Sequence, residues 1–484
     1  MWPALAGIGE RGARTATRGV SGYGHPNQAR DECVHAVPHR EAQSRVLIAI
    51  CVPMLTAPFR TARRLLRAWI SILLATACSA VPAYAAAPAS VSTGWVTAWA
   101  SAMQSIPEVA SPPPLYRTPD VADRTVRQIV YPTLSGRAVR IRLSNSAGRT
   151  PVTLTDVSLA QSAGGAATRA GTAVRATFGG RPAVTLQPGA EIDSDPIETT
   201  VTAGEPYAIS LTAGPRQTVT AWHRVANQVN YVSTEGDHSA DTAPHAYPRK
   251  FTESVWVSGL DVRAPDAVAV AAIGDSITDG LRSSLNRNRR WPDAFAGRLA
   301  QAGHAPAAVL NLGISGNRLL SDSPCYGEAL ERRFARDALS HAGVRVVIVL
   351  IGINDINFAS MPLRAGLDCD FPHTAVTAHD LTTGYLRLID RAHRSGVRIF
   401  GATLTPASLP PAREAVRTAV NDWIRTSHAF DGVVDFDAAL RDPGHPDRLQ
   451  PRWDSGDHIH PNDDGYTAMA AAVPLEAIMA ALRR

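Results

Sequence analysis

The sequence contains almost no lysine, since Lys250 is the single one among the 48 basic residues of the 484-residue chain. The formal net charge of +5 invites a nucleic-acid or membrane-surface interpretation. However, ten arginines and four acidic residues give residues 1–85 a net charge of +6, which leaves −1 for residues 86–484. The main part of the chain therefore has no basic excess, and we expect no nucleic-acid partner.

The sequence also lacks an apolar run long enough to span a membrane. The run at residues 68–81 is too short for a lasting bilayer anchor. A small-x-small pattern at Ala83-Tyr84-Ala85 follows it, and four arginines precede it, namely Arg60, Arg63, Arg64 and Arg67. This order predicts that residues 54–85 are a signal peptide. We therefore expect a secreted or periplasmic protein with no stable membrane span after cleavage.

The N-terminal region leaves several alternatives open. Residues 1–53 are interpreted either as translation from a start codon assigned upstream of Met54 or as an extended leader. Arg63-Arg64 is a candidate twin-arginine export signal. Cys78 is a candidate for lipidation.

Cysteine is scarce, with five residues in the chain. Cys33, Cys51 and Cys78 lie in the part predicted to be removed, which leaves Cys325 and Cys369. An even pair in an exported protein favours a disulfide, so these two are the disulfide candidate. Two free buried thiols are the alternative.

Residues 92–262 show no convincing helix pattern. Residues 139–143 alternate strictly between aliphatic residues and arginine, which predicts a strand with one buried face. Further strand candidates, separated by turn clusters, are residues 152–159, 183–186, 207–211 and 219–223. This spacing predicts an all-β sandwich or jelly-roll accessory domain. Three of its tryptophans, Trp99, Trp222 and Trp256, are interpreted as core residues or, alternatively, as a sugar-stacking surface.

From residue 263 apolar runs alternate with amphipathic helical stretches, which is typical of βαβ units. Five strands are predicted at residues 268–273, 308–312, 344–351, 397–404 and 433–436. Helices are predicted at residues 291–301, 329–341, 376–395, 412–428 and 465–482. The pattern predicts an α/β fold over residues 263–484, with a three-layer, doubly wound parallel sheet.

Two kinds of site lack their motif in this half of the chain. There is no Gly-x-Ser-x-Gly sequence for a strained nucleophile elbow. His458 and His460 with Asp463 or Asp464 are the alternative of a metal site, but no second His or Cys cluster completes it, and we expect no metal or other cofactor.

Polar residues instead follow the ends of the predicted strands. Gly274-Asp275-Ser276 follows the first strand, and a glycine-rich segment with Gly316 follows the second. Asn354 follows the third, and residues 457–460 come after the fifth, beyond a loop. Because parallel strands end at one edge of their sheet, we expect these segments to meet there.

These segments, in this order, resemble the four blocks of the SGNH (GDSL-type) hydrolase superfamily over residues 268–484. The resemblance implies Ser276 as nucleophile and His460 as general base, with Asp457 orienting the base. It also implies an oxyanion hole formed by the backbone N–H groups of Ser276 and Gly316 and the side-chain amide of Asn354. The β region, which begins with WVTAWA, is similar to that of an exported subgroup with acetylxylan-esterase-like members.

A hydrolytic serine needs a base, a group that orients the base, and N–H donors for the oxyanion, and the strand-end segments supply all three. The expected function is a secreted serine esterase acting on short acyl esters, chiefly acetyl esters of carbohydrate. A lipase or arylesterase of the same superfamily is the first alternative. A catalytically inactive carbohydrate-binding protein is the second.

Overall fold

Two kinds of β-sheet follow one another in the computed structural model, which describes residues 94–303 and 306–483. The predicted signal peptide at residues 54–85 and the segment 1–53 lie outside the described residues. The described residues form one compact unit. The predicted boundary at residues 262–263 stays a prediction.

The first kind of sheet is antiparallel, and its strands lie between residues 95 and 263. They are β1 (Trp95–Ala100), β2 (Gln104–Ser105), β3 (Arg124–Val130), β4 (Val139–Ser144), β5 (Val152–Gly164), β6 (Ala167–Thr168), β7 (Val174–Arg175), β8 (Val184–Leu186), β9 (Glu191–Asp193), β10 (Tyr207–Ala213), β11 (Ala221–His223), β12 (Asn230–Glu235), β13 (Arg249–Phe251), β14 (Ser254–Val255) and β15 (Val257–Arg263). Two short 3₁₀ helices interrupt them at Pro114–Tyr116 and Pro244–Ala246.

These strands pair into three sheets. The sheet orders are β1-β15-β4-β9, then β13-β12-β3-β10-β5-β6 with β7 and β8 also paired to β5, and finally β14-β11-β2. In β4 the aliphatic side chains Val139, Ile141 and Leu143 are buried, whereas the two intervening arginines are half-buried. The predicted alternation and the all-β character of this region are therefore confirmed.

Tryptophans form part of the core. The side chains of Trp222 and Trp256 are fully buried, and Trp99 packs against the core while partly exposed. The Trp256 indole N–H donates to Thr220 Oγ1 at 3.0 Å, which satisfies its polar group inside the protein. Trp222 and Trp256 thus act as core residues and cannot form a sugar-stacking surface.

The second kind of sheet is parallel and follows at residue 268. Its strands are β16 (Val268–Gly274), β17 (Ala307–Gly313), β18 (Val344–Leu350), β19 (Arg398–Ala402) and β20 (Gly432–Val434). Their order in the sheet is β17-β16-β18-β19-β20, which is the 2-1-3-4-5 order of a flavodoxin-like doubly wound sheet. The predicted fold class is confirmed, and the first strand lies between two others, as its continuous apolar run requires.

Helices connect the parallel strands. They are α1 (Ser276–Asp279), α2 (Trp291–Gln301), α3 (Leu330–Phe334), α4 (Ile353–Phe358), α5 (Ala378–Arg394), α6 (Pro411–Thr426), α7 (Phe436–Leu440), α8 (Asp463–Ala472) and α9 (Leu475–Leu482). A π-helical turn at Ala335–Leu339 continues α3. The structure corrects two predicted elements. The strand predicted at 433–436 ends at Val434, and the helix predicted at 465–482 is broken near Pro474, which cannot continue the hydrogen-bond ladder.

Within the described ranges, no single helix has the length and apolar composition needed to cross a membrane. Among these same residues, α8 and α9 taken together pass by length and composition, and they are bent by 59° at their break.

The antiparallel and parallel regions share backbone hydrogen bonds. Thr97 N–H donates to the Ala342 carbonyl at 2.9 Å, and Ala342 N–H donates to Thr97 Oγ1 at 3.0 Å. At the edge strand β17, Thr133 Oγ1 accepts from Val309 N–H at 3.0 Å and donates to the Val309 carbonyl at 3.1 Å. The antiparallel region therefore satisfies polar groups that a free sheet edge would expose.

Cys325 and Cys369 form a disulfide, as predicted. Both residues are buried, and their sequence separation of 44 closes a loop in the α/β region. Constraining such a loop in the unfolded chain stabilises the folded state by about 3 to 4 kcal/mol.

We expect the double variant Cys325→Ala/Cys369→Ala to lose about 3 to 4 kcal/mol of unfolding free energy, because its unfolded chain is less constrained. Denaturant unfolding of the wild type and the variant, with and without a thiol reductant, measures the difference. The reductant should lower the wild-type midpoint and leave that of the variant unchanged. Equal midpoints for the two oxidised proteins would contradict the assignment of a stabilising role.

Candidate active site

Ser276 lies at the carboxyl end of strand β16. Gly274 ends the strand, and a Cβ at this position would come within 2.1 Å of the Leu350 carbonyl oxygen of β18, so only glycine fits. Asp275 then caps helix α1, because its side chain accepts from Ile277 N–H at 3.0 Å. Ser276 is the first residue of that helix and is buried. This local structure holds the serine hydroxyl at the sheet edge.

His460 faces the serine hydroxyl. Ser276 Oγ and His460 Nε2 are 2.7 Å apart, and both side chains are buried. On the other side of the imidazole, His460 Nδ1 lies 2.9 Å from Asp457 Oδ2. Because a carboxylate only accepts, the Nδ1 atom carries the proton, and Nε2 accepts from the serine hydroxyl. The imidazole is thus in the tautomer that a base for Ser276 requires.

Asp457 is held by several donors. Its Oδ1 atom accepts from the backbone N–H groups of Ile459 and His460 at 3.1 and 2.9 Å, and Arg282 Nε donates to Oδ2 at 3.0 Å. Burial raises the pKa of Asp457, but its hydrogen bonds from the His460 ring, the His460 backbone N–H and Arg282 outweigh this effect and hold the pKa well below its ordinary value. Asp457 is therefore an ionised carboxylate that fixes the His460 ring.

Three N–H donors lie at the ends of neighbouring strands. Gly316 follows β17 in the left-handed region with φ +83°, and a Cβ there would lie 2.4 Å from the Tyr326 ring. Within the described part of the chain, neither the Ser276 N–H nor the Gly316 N–H donates to a protein acceptor. Asn354 Nδ2 donates to the Asn317 carbonyl at 3.0 Å, which orients the amide and leaves its second N–H.

Asp355 lies at the same sheet edge. The sequence pattern assigned it no role. Its two carboxylate oxygens accept from the backbone N–H groups of Leu319 and Leu320 at 2.8 and 3.0 Å. Burial raises the pKa of Asp355 to about 6, and the two backbone hydrogen bonds oppose this rise. Asp355 therefore ties the segment that follows Gly316 to helix α4.

Comparison with known protein families gives a match inside the α/β region. The model of the GDSL-like lipase/acylhydrolase family matches residues 272–468. Residues 272–468 form a GDSL-like lipase/acylhydrolase domain. Members of this family are carboxylic ester hydrolases, so the superfamily resemblance and the enzyme class are confirmed for this domain, which we call the GDSL domain.

Several solved structures are similar to the chain at low identity. A variant of the acetyl xylan esterase Axe2 from Geobacillus stearothermophilus is 22% identical, covers 43% of this chain and 94% of its own, and has a TM-score of 0.33. LAE5, an alpha/beta hydrolase from the metagenome of Lake Arreo, is 22% identical, with coverages of 45% and 95% and a TM-score of 0.32. A GDSL-like lipase from Bacteroides thetaiotaomicron is 17% identical, with coverages of 44% and 88% and a TM-score of 0.30. No curated protein matches the chain.

The GDSL domain contains every residue that the sequence pattern proposes for catalysis. The structure brings Ser276, His460 and Asp457 into one hydrogen-bonded row, and it places Gly316 and Asn354 on the adjoining strand ends. The catalytic roles of these residues stay predictions.

The residues considered for a metal site do not converge. His458 is largely exposed, and its Nδ1 atom lies 2.6 Å from Asp454 Oδ2, whereas His460 faces Ser276. Among the described residues, no group of three or more His, Cys, Asp or Glu side chains is arranged to hold a metal ion. His458 and His460 therefore contact different residues of the GDSL domain and do not face a common point.

We expect the variant Asp457→Asn to be less stable than the wild type by about 1 to 3 kcal/mol at neutral pH, because the amide accepts fewer hydrogen bonds and carries no charge. The lowered pKa of Asp457 means that its stabilisation is present above the carboxyl pKa of the unfolded chain and is lost as the pH falls through and below that value. The difference between wild type and variant should therefore shrink below about pH 4.

Denaturant unfolding between about pH 3 and pH 8 measures this difference. The exposed carboxylate of Asp464 provides a matched control, since Asp464→Asn should change stability little at any of these pH values. A destabilisation by Asp457→Asn that persists unchanged in acid would contradict the account of Asp457.

Proposed function

We propose that the protein is an exported serine esterase that hydrolyses short acyl esters, with acetyl esters of carbohydrate as the first substrate class. The observation that carries the proposal is the row in which Ser276 Oγ lies 2.7 Å from His460 Nε2 and His460 Nδ1 lies 2.9 Å from Asp457 Oδ2. Such a row activates a serine hydroxyl for attack on an ester carbonyl.

The reaction follows from these contacts. Ser276 Oγ attacks the ester carbonyl carbon as its proton moves to His460 Nε2, and Asp457 stabilises the resulting imidazolium. The negative charge that develops on the carbonyl oxygen is stabilised by the N–H groups of Ser276, Gly316 and Asn354. His460 then protonates the leaving alcohol. Water, activated by the same imidazole, hydrolyses the acyl-enzyme and releases the acid.

The surroundings of Gly316 support a short acyl group. The Tyr326 ring packs directly beside Gly316, and the centroid of the Phe358 ring is 5.6 Å from that of Tyr326. Leu319 is fully buried in the core, and Leu363 is 80% exposed. Aromatic rings therefore lie beside the turn that contains Gly316. The two leucines do not enclose a channel for a long acyl chain.

Export and a carbohydrate substrate are supported by the sequence. The predicted signal peptide at residues 54–85 would direct the chain out of the cytoplasm. A disulfide such as Cys325–Cys369 persists in the oxidising compartments outside the cytoplasm, which supports the same destination. The resemblance of the β region to that of exported acetylxylan-esterase-like proteins favours an acetylated polysaccharide over a lipid.

We expect Ser276→Ala to lose essentially all esterase activity, because no other group in the row supplies a nucleophile. Rates on p-nitrophenyl esters of increasing chain length and acetate release from acetylated xylan test the reaction and the substrate class together. Wild-type activity should be highest on acetyl esters and should include the xylan. Full activity in Ser276→Ala would contradict the serine mechanism, and a preference for long chains without acetate release would favour a lipase.

We expect Asn354→Ala to lower kcat by about 10²- to 10³-fold with little change in KM, because the amide acts on charge that is present only in the transition state. Asn357, one turn further along the same helix, provides the matched control, and Asn357→Ala should keep kcat within about twofold. Steady-state kinetics on an acetyl ester measure both. An equal loss in the two variants would assign Asn354 a structural role only.

A further inference from the structure

His223 reaches from the antiparallel region to the GDSL domain. It ends strand β11 and is buried, with its Nδ1 atom 3.0 Å from the Ala102 carbonyl oxygen. Its Nε2 atom lies 3.0 Å from the Val225 carbonyl oxygen and 3.0 Å from Asp279 Oδ1. Since carbonyl and carboxylate oxygens are acceptors, both ring nitrogens face acceptors and both carry protons. The ring is therefore an imidazolium paired with the Asp279 carboxylate.

Asp279 also contacts the turn that contains Ser315 and Gly316. It lies in α1, three residues after Ser276, and its Oδ2 atom accepts from Ser315 N–H at 2.9 Å and from Ser315 Oγ–H at 2.6 Å. Ser315 directly precedes Gly316. A Cβ at Gly313, where this turn begins, would lie 2.2 Å from Asp279 N, so α1 and the turn are in close contact.

The two other charged residues that line the cavity beside His223 and Asp279 compensate each other. Arg290 and Asp293, which line the same cavity as His223 and Asp279, pair with each other at 2.7 Å. Burial lowers the pKa of His223, but the charge and the hydrogen bond of Asp279 outweigh this effect and raise the pKa above its ordinary value. A positive charge on the His223 ring therefore agrees with the acceptors that face its two nitrogen atoms.

We propose that His223 is a positioning residue for ester hydrolysis, because its imidazolium holds Asp279 and thereby holds the Ser315–Gly316 turn in the position from which the Gly316 N–H binds the oxyanion. The antiparallel region is in this way part of the support of the active site. The inference rests on the proposed function, since the Gly316 N–H binds an oxyanion only in that mechanism.

The first test replaces the charged ring. Glutamine at position 223 is neutral and cannot donate to Ala102, Val225 and Asp279 at once, so we expect His223→Gln to lower kcat by about tenfold or more and to leave KM within about twofold. His341 provides the matched control. It is also a buried histidine, but burial lowers its pKa to about 4, and its Nδ1 atom has no hydrogen-bond partner among the described residues. His341→Gln should therefore keep kcat.

The pH profile separates positioning from mere packing. The raised pKa means that the imidazolium contact is complete below the ordinary histidine pKa and is lost as the pH rises through the folded-state pKa. Wild-type kcat should therefore fall reversibly in alkaline solution, and His223→Gln should lack that alkaline decrease. The double variant with Asp279→Asn should be no slower than the slower single variant, because the two residues act as one unit.

A measurement on the wild-type protein decides the inference even if His223→Gln does not fold. Nitrogen-15 NMR of the His223 ring at neutral pH should show both nitrogens protonated, and a neutral ring would overturn the inference whether or not the protein hydrolyses esters. Wild-type kcat and pH profile in a folded His223→Gln would overturn it while the proposed function stands. Absence of Ser276-dependent hydrolysis with a charged His223 ring would instead overturn the proposed function and with it the catalytic role of the pair.

Discussion

The site depends on the close packing of helix α1 against the ends of three parallel strands. Gly274 and Gly313 make this possible, since a Cβ at either position would come within 2.1 to 2.2 Å of backbone atoms of β18 or α1. With α1 so close to the sheet edge, Ser276 and Asp279 are fixed on one short helix. The serine faces His460, and the aspartate holds the turn before Gly316. A side chain at either glycine would displace both groups at once.

Buried charged groups hold the strand ends around this helix. Arg333, fully buried, donates to the carbonyl groups of Gly274 and Leu312 at 2.9 and 3.0 Å and so satisfies two acceptors at the strand ends. Asp355 does the same for the backbone N–H groups of the segment after Gly316. Because unpaired polar groups are costly in a buried site, these contacts fix the strand ends, and the proposed stabilisation of an oxyanion requires donors that are fixed in this way.

The sequence predicted the parallel sheet well, because central strands of such sheets are apolar runs and the helices between them are amphipathic. It also predicted that Ser276 lies close to His460 and Asp457, because Ser276 follows the first parallel strand and the other two residues lie in the segment after the fifth. His223, Arg282 and Arg333 were not predicted. Their roles arise from contacts between elements that are far apart in sequence, and no local period or spacing carries that information. The break between α8 and α9 was missed although Pro474 marks it.

Covalent labelling tests most directly whether Ser276 is the nucleophile, as proposed. A phosphonate ester analogue reacts with an activated serine and stays attached, so mass spectrometry of the digested protein locates the label. We expect one label for each chain, on the peptide that contains Ser276, and much slower labelling of His460→Ala. A label on a different residue, or undiminished ester hydrolysis by a protein whose Ser276 remains unlabelled, would contradict the proposal.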